Sequence, residues 1–293
     1  MPNRAGFAGI HAVLYAFFDR DGMLDRHAMA MQVETVIAEG VDGVAVLGLA
    51  TEVHKLSASE QRAVIDWAAE DVAGRVPLSV TVAGNSIAAQ RDMGSHAVAR
   101  GADLVILQPP IAGSYGARTY LDFFAAVARE LSVPWAIQNA PAYLGPGLDA
   151  ADIAQLVAMA PGLAAIKAEC AALDLPAVIE ATGDTIAVLQ GRGGLELPDC
   201  LRAGCHGFVL APDVTPAATR IWQAWQAGDE AGTQDVYRDA LPSIAFVMQS
   251  IETLICYGKR LFARRAGLTV HDRQPALAPS PFGEQCLHRL AQS

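Results

Sequence analysis

The stretch Leu163-Ala-Ala-Ile-Lys-Ala-Glu-Cys170, LAAIKAEC, has the pattern of a short strand that is apolar on both faces. Strands without polar alternation are typical of parallel sheets, because helices cover both sides of such a sheet. Two charged residues, Lys167 and Glu169, interrupt the run at its end. Since they are spaced by two, they lie on the same face of a strand. The stretch therefore indicates a parallel α/β fold with a charged pair at one strand end.

Similar runs recur along the chain, each bounded by Gly, Pro or Asn: GIHAVLYAF, GVAVLGL, PLSVTVAG, ADLVILQPP, VPWAIQNAP, TIAVLQG and GCHGFVLAP. Helix-like segments separate them at intervals of roughly 20 to 35 residues, which suits a (β/α)8 barrel. We predict such an α/β TIM barrel over residues 1–215, with a C-terminal helical extension over residues 216–293 packed on it. A doubly wound open sheet is the alternative, but no G-x-G-x-x-G follows the first strand.

Local signals also predict where helices begin and end. Ser57 and Glu60 have the spacing of a capping box, in which each side chain bonds a backbone N–H at the helix start. Glycines follow four of the helical stretches, where a left-handed residue favours a helix end: Gly40, Gly74, Gly101 and Gly183. These signals divide the chain into the alternating units that a barrel requires.

Composition limits the classes of partner. The 293 residues are 52% hydrophobic and carry a formal net charge of −10, which argues against nucleic acid or an anionic membrane as the main partner. The five cysteines are odd in number and lack C-x-x-C spacing, which is typical of reduced cytoplasmic thiols. We see no signal peptide, and the longest apolar runs stop short of the roughly 18 residues that a membrane span needs. The seven histidines are scattered without ligand spacing, so we expect no metal and a soluble cytoplasmic protein.

Lys167 is the first candidate for chemistry. If its face of the strand points into the barrel, the ammonium enters an apolar mouth that disfavours its charge, and the amine becomes nucleophilic toward a carbonyl. The alternative is a lysine at a strand end that reaches solvent or pairs with Glu169. For Glu169 the alternatives are a general acid or base and a solvated rim carboxylate.

Two loops carry further candidates. GLATE, Gly48 to Glu52, follows the second strand and can offer backbone N–H groups to a carboxylate, with a hydroxyl from Thr51. QGRGG, Gln190 to Gly194, follows the seventh strand and lets a substrate approach the backbone closely, with Arg192 available for a carboxylate or hydroxyls. Either loop can also be an ordinary turn.

Taken together, these motifs resemble the dihydrodipicolinate synthase / N-acetylneuraminate lyase family. The matching pieces are GIHAVLYAFFDRDGMLD, GLATEVHKLS, NAPAYLG and AIKAE, and they extend over the whole chain. The resemblance implies a barrel that binds a small-molecule 2-keto acid as an imine on Lys167, with no cofactor. It also implies that Ala50 and Thr51 hold the carboxylate, that Gly191 lines the substrate, and that the chain forms a homo-oligomer, a tetramer or dimer.

The departures from the family pattern are informative. Gln138 stands where the family's aldolases carry a proton-relaying tyrosine, and an amide cannot ionise in its place. Tyr143 falls at the position of the arginine that binds the second substrate's carboxylate, and Ile111 at the second tyrosine of the relay. The sequence resembles the branch of L-2-keto-3-deoxyarabonate dehydratases more closely, which implies catalytic roles for Lys167, Gln138 and Glu169.

The sequence therefore predicts a Schiff-base lyase that dehydrates a 2-keto-3-deoxy sugar acid. The alternative within enzymes is a pyruvate-dependent aldolase, because the same imine serves carbon–carbon cleavage. The alternative from another class is a non-catalytic keto-acid-binding barrel, which keeps the lysine but lacks a proton relay.

Overall fold

A computed structural model describes residues 4–183 and 185–291 of the chain. Its eight strands form a closed barrel in sequence order, and every neighbouring pair is parallel. The strands are β1 (Gly9–Val13), β2 (Gly43–Val46), β3 (Leu78–Val82), β4 (Leu104–Leu107), β5 (Trp135–Asn139), β6 (Leu163–Ala168), β7 (Ala187–Gln190) and β8 (Gly207–Leu210). Each lies inside one of the predicted apolar runs, so the TIM-barrel prediction is confirmed.

Helices follow the strands and cover the barrel. They are α1 (Arg26–Ala38), α2 (Ala58–Val72), α3 (Ile87–Ala99), α4 (Ala117–Ala128), α5 (Pro141–Leu144), α6 (Ala150–Met159), α7 (Leu175–Thr182), α8 (Leu197–Arg202), α9 (Thr215–Gln226), α10 (Glu230–Val247), α11 (Ile251–Thr253), α12 (Lys259–Ala266) and α13 (Pro281–Leu290). Short 3₁₀ turns occur at Arg4–Phe7, Val53–Lys55 and Ala172–Asp174, and a π-helical segment spans Leu254–Gly258.

The strands are buried on both faces, because side chains fill the barrel interior and helices pack outside. This explains why the strand sequences are continuous apolar runs without polar alternation. The predicted capping box at Ser57 and Glu60 is present, with both reciprocal bonds. All four predicted helix-terminal glycines have positive φ, as a left-handed helix end requires.

The helices after β8 return to the carboxyl-terminal end of the barrel strands. A bend of 106° separates α10 from the segment Ile251–Ala266. The Tyr15 hydroxyl, just after β1, donates to Asp213 Oδ1 at 2.6 Å, and Arg265 of α12 binds Glu39 at the end of α1. The first contact joins the loops after β1 and β8, and the second holds α12 against the barrel.

Within residues 4–183 and 185–291, no single helix is both long enough and apolar enough to cross a membrane. The bent pair Glu230–Val247 and Ile251–Ala266 meets the length and composition criteria only when both parts are taken together.

Candidate active site

Lys167 and Gln138 lie opposite each other on neighbouring strands, β6 and β5, and both are buried. Glu169 follows β6 and is also buried. Lys167 Nζ lies 2.8 Å from Glu169 Oε1, and Gln138 Nε2 donates to the same oxygen at 2.5 Å. The three residues that sequence reasoning placed at the catalytic position are therefore in contact inside the barrel mouth. Of the alternatives for Lys167, both features occur together: an inward amine and a pair with Glu169.

A further buried amide completes this group. Gln108 follows β4, and its Nε2 donates to Gln138 Oε1 at 2.8 Å. Gln90 in turn donates to the Gln108 carbonyl at 2.9 Å, which fixes the strand end that carries it. Because the Gln138 oxygen is occupied by a donor, its NH₂ group is directed at the Glu169 carboxylate. We call Gln108, Gln138 and Glu169 the amide–carboxylate chain.

Gly191 provides the space in which Lys167 lies. A Cβ atom at this position would come within 2.6 Å of Lys167 Cε and 3.0 Å of Glu169 Cγ. The side chain of Gln190 donates to the Cys170 carbonyl at 2.9 Å and accepts from the Gly191 N–H at 2.8 Å. Gln190 thereby ties the loop after β6 to the loop after β7, and Gly191 lines the pocket.

The rest of the pocket wall is apolar. Lys167 and Glu169 are its charged residues, and the other lining residues are Val13, Leu49, Ala50, Gly191, Gly193, Val209, Ala211, Met248, Ile251 and Leu254. Three of these residues, Met248, Ile251 and Leu254, lie between the end of α10 and the start of the π-helical segment. An amine and a carboxylate in such surroundings interact strongly with any bound polar group, because little water screens them.

The loop after β2 has an unusual backbone. Leu47 (φ 61) and Glu52 (φ 56) both adopt the left-handed conformation, which costs a residue with a side chain about 1–2 kcal/mol. Between them, Leu49 and Ala50 line the pocket, and neither backbone N–H has a hydrogen-bond acceptor among the described residues. These two N–H groups can bind an anion.

Thr51 corrects the expectation for this loop. It is fully buried, and its hydroxyl donates to the Leu14 carbonyl at 2.6 Å instead of entering the pocket. The residue ties the loop to the end of β1. The prediction that Thr51 adds a hydroxyl for a substrate carboxylate is therefore wrong, because the backbone carbonyl already takes that donor.

Tyr143 and Arg192 lie at the rim and face each other. Arg192 Nη1 binds Glu196 at 2.5 Å and lies 3.4 Å from the Cys170 carbonyl, so part of its guanidinium is already occupied. Burial raises the pKa of the Tyr143 phenol, and the nearby Glu169 charge raises it further, while Arg192 acts in the opposite direction. Tyr143 therefore remains protonated near neutral pH. Ile111 is exposed outside this group.

No cluster of three or more potential metal ligands occurs among the described side chains. Lys259 of α12 forms a second buried ionic group near the pocket. It donates to Glu52 Oε1, and Lys55 Nζ donates to the other carboxylate oxygen at 2.6 Å.

Comparison with known proteins identifies the family. The model of the Dihydrodipicolinate synthetase family matches residues 6–290. The chain belongs to this family.

Among curated members, the probable 2-dehydro-3-deoxy-D-pentonate aldolase YjhH of Escherichia coli K12 is 25% identical over 258 residues, 86% of each chain. The 4-hydroxy-tetrahydrodipicolinate synthase of Oleidesulfovibrio alaskensis is 27% identical over 92% of this chain and 93% of its own. Family membership confirms the prediction that the chain is a lyase of this class.

Solved structures of the dihydrodipicolinate synthetase family share the fold. The Aquifex aeolicus dihydrodipicolinate synthase matches with a TM-score of 0.90 at 21% identity, covering 98% of this chain and 97% of that one. YagE from E. coli K12, solved in complex with pyruvate, matches with a TM-score of 0.88 at 24% identity, with coverage of 98% and 97%. At these identities the likeness concerns the fold alone.

Sequence reasoning missed Gln108, Gln190 and the pair Lys259–Glu52. A signal for the two glutamines was present, because β4, β5 and β7 each have a glutamine within one residue of their carboxyl end, at the same edge of the barrel. Polar residues at the carboxyl ends of barrel strands point to the site in this fold. The pair Lys259–Glu52 joins positions that no local pattern connects.

Proposed function

We propose that the protein is a Schiff-base lyase that removes water from a 2-keto-3-deoxy sugar acid. One observation carries the proposal: Glu169 contacts Lys167, and Gln138 holds Glu169 in that contact. Gln138 occupies the position where the family's aldolases have a tyrosine. The group beside the amine is therefore a carboxylate, oriented by an amide that cannot ionise.

The pocket supports a specific orientation of the substrate. The carboxylate of the 2-keto acid binds to the N–H groups of Leu49 and Ala50. Its C2 carbonyl then lies at the Lys167 amine, and Gly191 leaves room for the new bond. No metal or cofactor takes part in this proposal, because the protonated imine itself withdraws electrons from C3.

The reaction follows from these contacts. Lys167, after giving a proton to Glu169, attacks C2. Glu169 returns this proton to the former carbonyl oxygen, which takes a second proton from the attacking nitrogen and leaves as water, so that an iminium forms and Glu169 is ionised again. Glu169 then takes a proton from C3, and the electron pair of that bond forms the enamine. The enamine expels the C4 hydroxyl, which receives the proton and leaves as water. The conjugated iminium then loses a proton from C5 and gains one at C3, and the resulting C5 enol tautomerises to an aldehyde. Hydrolysis of the remaining imine consumes one water and frees Lys167, so the substrate loses one water overall and becomes a semialdehyde.

The choice between elimination and cleavage depends on the C4 hydroxyl. Cleavage of the C3–C4 bond requires a base that removes the hydroxyl proton, whereas elimination requires an acid that donates one. Gln138 cannot serve as that base, and the raised pKa of Tyr143 keeps its phenol protonated. These two features favour elimination.

An aldolase is the second candidate, and the similarity to YjhH favours it. It would use the same imine on Lys167 but release pyruvate and an aldehyde. A barrel that only binds keto acids is the third candidate. It would form the imine without turnover.

Borohydride reduction tests the proposal. Reduction in the presence of pyruvate should attach a stable adduct to Lys167, which peptide mass mapping locates; an adduct on any other lysine contradicts the site. Incubation with 2-keto-3-deoxypentonate isomers should then yield a semialdehyde. Free pyruvate would identify an aldolase, and an adduct without any product a binding protein.

Glu169→Gln separates imine formation from elimination. It should lower kcat by about 10²- to 10⁴-fold, the usual contribution of a general acid–base group, while the pyruvate adduct still forms on Lys167, only more slowly because the amine has lost its proton acceptor. Glu196→Gln, which removes a carboxylate bound to Arg192 at the rim, serves as the matched control. Equal turnover in Glu169→Gln and wild type would remove Glu169 from the mechanism.

The proposal also includes a cytoplasmic location, a homo-oligomer of two or four chains, and a division between barrel and extension after residue 215.

A further inference from the structure

Lys259 is a buried ammonium that the proposed reaction does not use. It is the first residue of α12, it is 1% exposed, and it lies 5.5 Å from the centre of the Phe18 ring. Its hydrogen-bond acceptor is Glu52 Oε1, on the loop after β2. Burying a charge costs free energy unless a partner compensates it, so the presence of this buried pair calls for a structural or functional role.

Glu52 ends the loop that presents the two free N–H groups. Its left-handed backbone follows Thr51, whose hydroxyl is bound to the Leu14 carbonyl. The loop is therefore fixed at two adjacent residues, once to the end of β1 and once to the C-terminal helices. Strained left-handed residues persist only where the surroundings determine their conformation, and Lys259 supplies such a restraint.

We propose that Lys259 is a positioning residue of the substrate site: through Glu52 it fixes the N–H groups of Leu49 and Ala50 that bind the substrate carboxylate. The inference rests on the proposed function, because it assumes a 2-keto acid in the pocket. The C-terminal helices then contribute to the site twice: they form part of its apolar wall, and through Lys259 they position the loop that binds the substrate carboxylate.

The segment that joins the two contributions supports this role. Ile251 and Leu254 line the pocket, and the π-helical segment Leu254–Gly258 connects them directly to Lys259. π-Helical turns within α-helices are frequently found at functional sites. Here the π-helical segment connects the residues of the apolar wall to Lys259, whose ammonium binds Glu52.

The test compares an anionic and a neutral carbonyl compound in borohydride trapping on the full chain. Pyruvate carries the carboxylate, whereas hydroxyacetone offers a ketone without it. In Lys259→Met the pyruvate concentration for half-maximal trapping should rise by about ten- to hundredfold, because a hydrogen bond to a charged group contributes a free energy of that size to binding. Trapping of hydroxyacetone should stay at the wild-type rate. Arg264→Met, which removes a cation from the same helix where it binds Glu284, is the control and should leave both probes unchanged.

Glu52→Gln separates positioning from simple charge. If Lys259 and Glu52 act only through their charges, removal of the carboxylate strengthens pyruvate binding; positioning requires that binding weakens. Lys259→Met leaves Glu52 paired with Lys55, so no buried carboxylate is left alone. Should that variant not fold, Lys259→Arg decides, because it keeps the charge but moves it. Weaker pyruvate trapping with unchanged hydroxyacetone trapping supports the proposal.

Three results overturn the inference: wild-type pyruvate saturation in a folded Lys259 variant, equal losses for both probes, or tighter pyruvate binding in Glu52→Gln. None of them touches the proposed function. That proposal fails separately, if wild-type protein forms no adduct at Lys167.

Discussion

One buried lysine–glutamate contact lines the pocket, and a second lies where α12 meets the loop after β2. Lys167 and Glu169 have side-chain exposures of 5% and 3%, and Lys259 and Glu52 have 1% and 2%. The groups are the same, but their surroundings differ. Lys167 borders a glycine and an open pocket, whereas Lys259 is enclosed by Phe18 and shares its carboxylate with Lys55. Burial of a charged pair does not by itself mark a reactive site; space for a carbonyl beside the amine does.

The two contacts also differ in what they hold. The Lys167–Glu169 contact lies at the end of a single strand, β6. The other two residues of the amide–carboxylate chain orient Glu169 from the ends of β4 and β5. The Lys259–Glu52 contact joins a loop to a distant helix. Burial lowers the pKa of Lys259, and the charge of Glu52 opposes that effect. We expect loss of the first contact to cost activity and loss of the second to cost stability as well.

Lys167→Ala should have the largest effect. Removal of the nucleophile should lower kcat/KM by about four orders of magnitude or more, as for other covalent catalysts, because no other amine lines the pocket among the described residues. Steady-state kinetics and borohydride trapping measure the loss, and circular dichroism checks the fold. Full activity in this variant would contradict the whole account of the site.

Glu52→Gln should have the largest effect on stability. It leaves Lys55 and Lys259 buried without their shared carboxylate, and breaking a buried pair from one side typically costs about 3–5 kcal/mol. Urea unfolding should show this fall in the free energy of unfolding. The double variant Glu52→Gln/Lys259→Met, with one buried charge fewer, should recover part of it. A change below about 1 kcal/mol would mean that the cluster is as weak as a surface ion pair.

Gly191→Ala tests whether space distinguishes the two contacts. The added Cβ would overlap Lys167 Cε at 2.6 Å, so the lysine must move away from Glu169. We expect kcat/KM to fall by about 100-fold, a typical penalty for a misplaced catalytic group. Gly116→Ala is the matched control, because its Cβ would meet nothing within 4 Å. Equal activity in the two variants would show that the lysine does not need this room.

The sequence predicts the parts of the molecule that local pattern determines. All eight strands follow from apolar runs, since a strand covered on both faces needs no polar residue. Lys167 and Glu169 could be placed together because a spacing of two puts side chains on one face. Gln138 was assigned by resemblance, and its contact with Glu169 then follows from the register of β5 and β6.

Other contacts could not be predicted because they depend on tertiary structure. Lys259 and Glu52 are separated by 207 positions, and only the return of the C-terminal helices brings them together. Thr51 was expected to bind the substrate through its hydroxyl, but the hydroxyl donates to the backbone carbonyl of Leu14, just after β1. For Arg192, the neighbouring Glu196 occupies part of the guanidinium. In each case the decisive partner was a group that the sequence pattern does not indicate.

Gln108→Leu should have the smallest effect and the most specific signature. Without the Gln108 donor, the Gln138 amide is free to rotate, and its oxygen then repels the Glu169 carboxylate. We expect kcat to fall about tenfold, the value of one hydrogen bond, with KM and the rate of pyruvate trapping close to wild type, because neither the carboxylate loop nor Lys167 loses a contact. Gln155→Leu, an exposed amide on α6, is the control. A parallel fall in trapping and turnover would instead mean that Gln108 supports the barrel mouth as a whole, and the amide–carboxylate chain would lose its separate role in proton transfer.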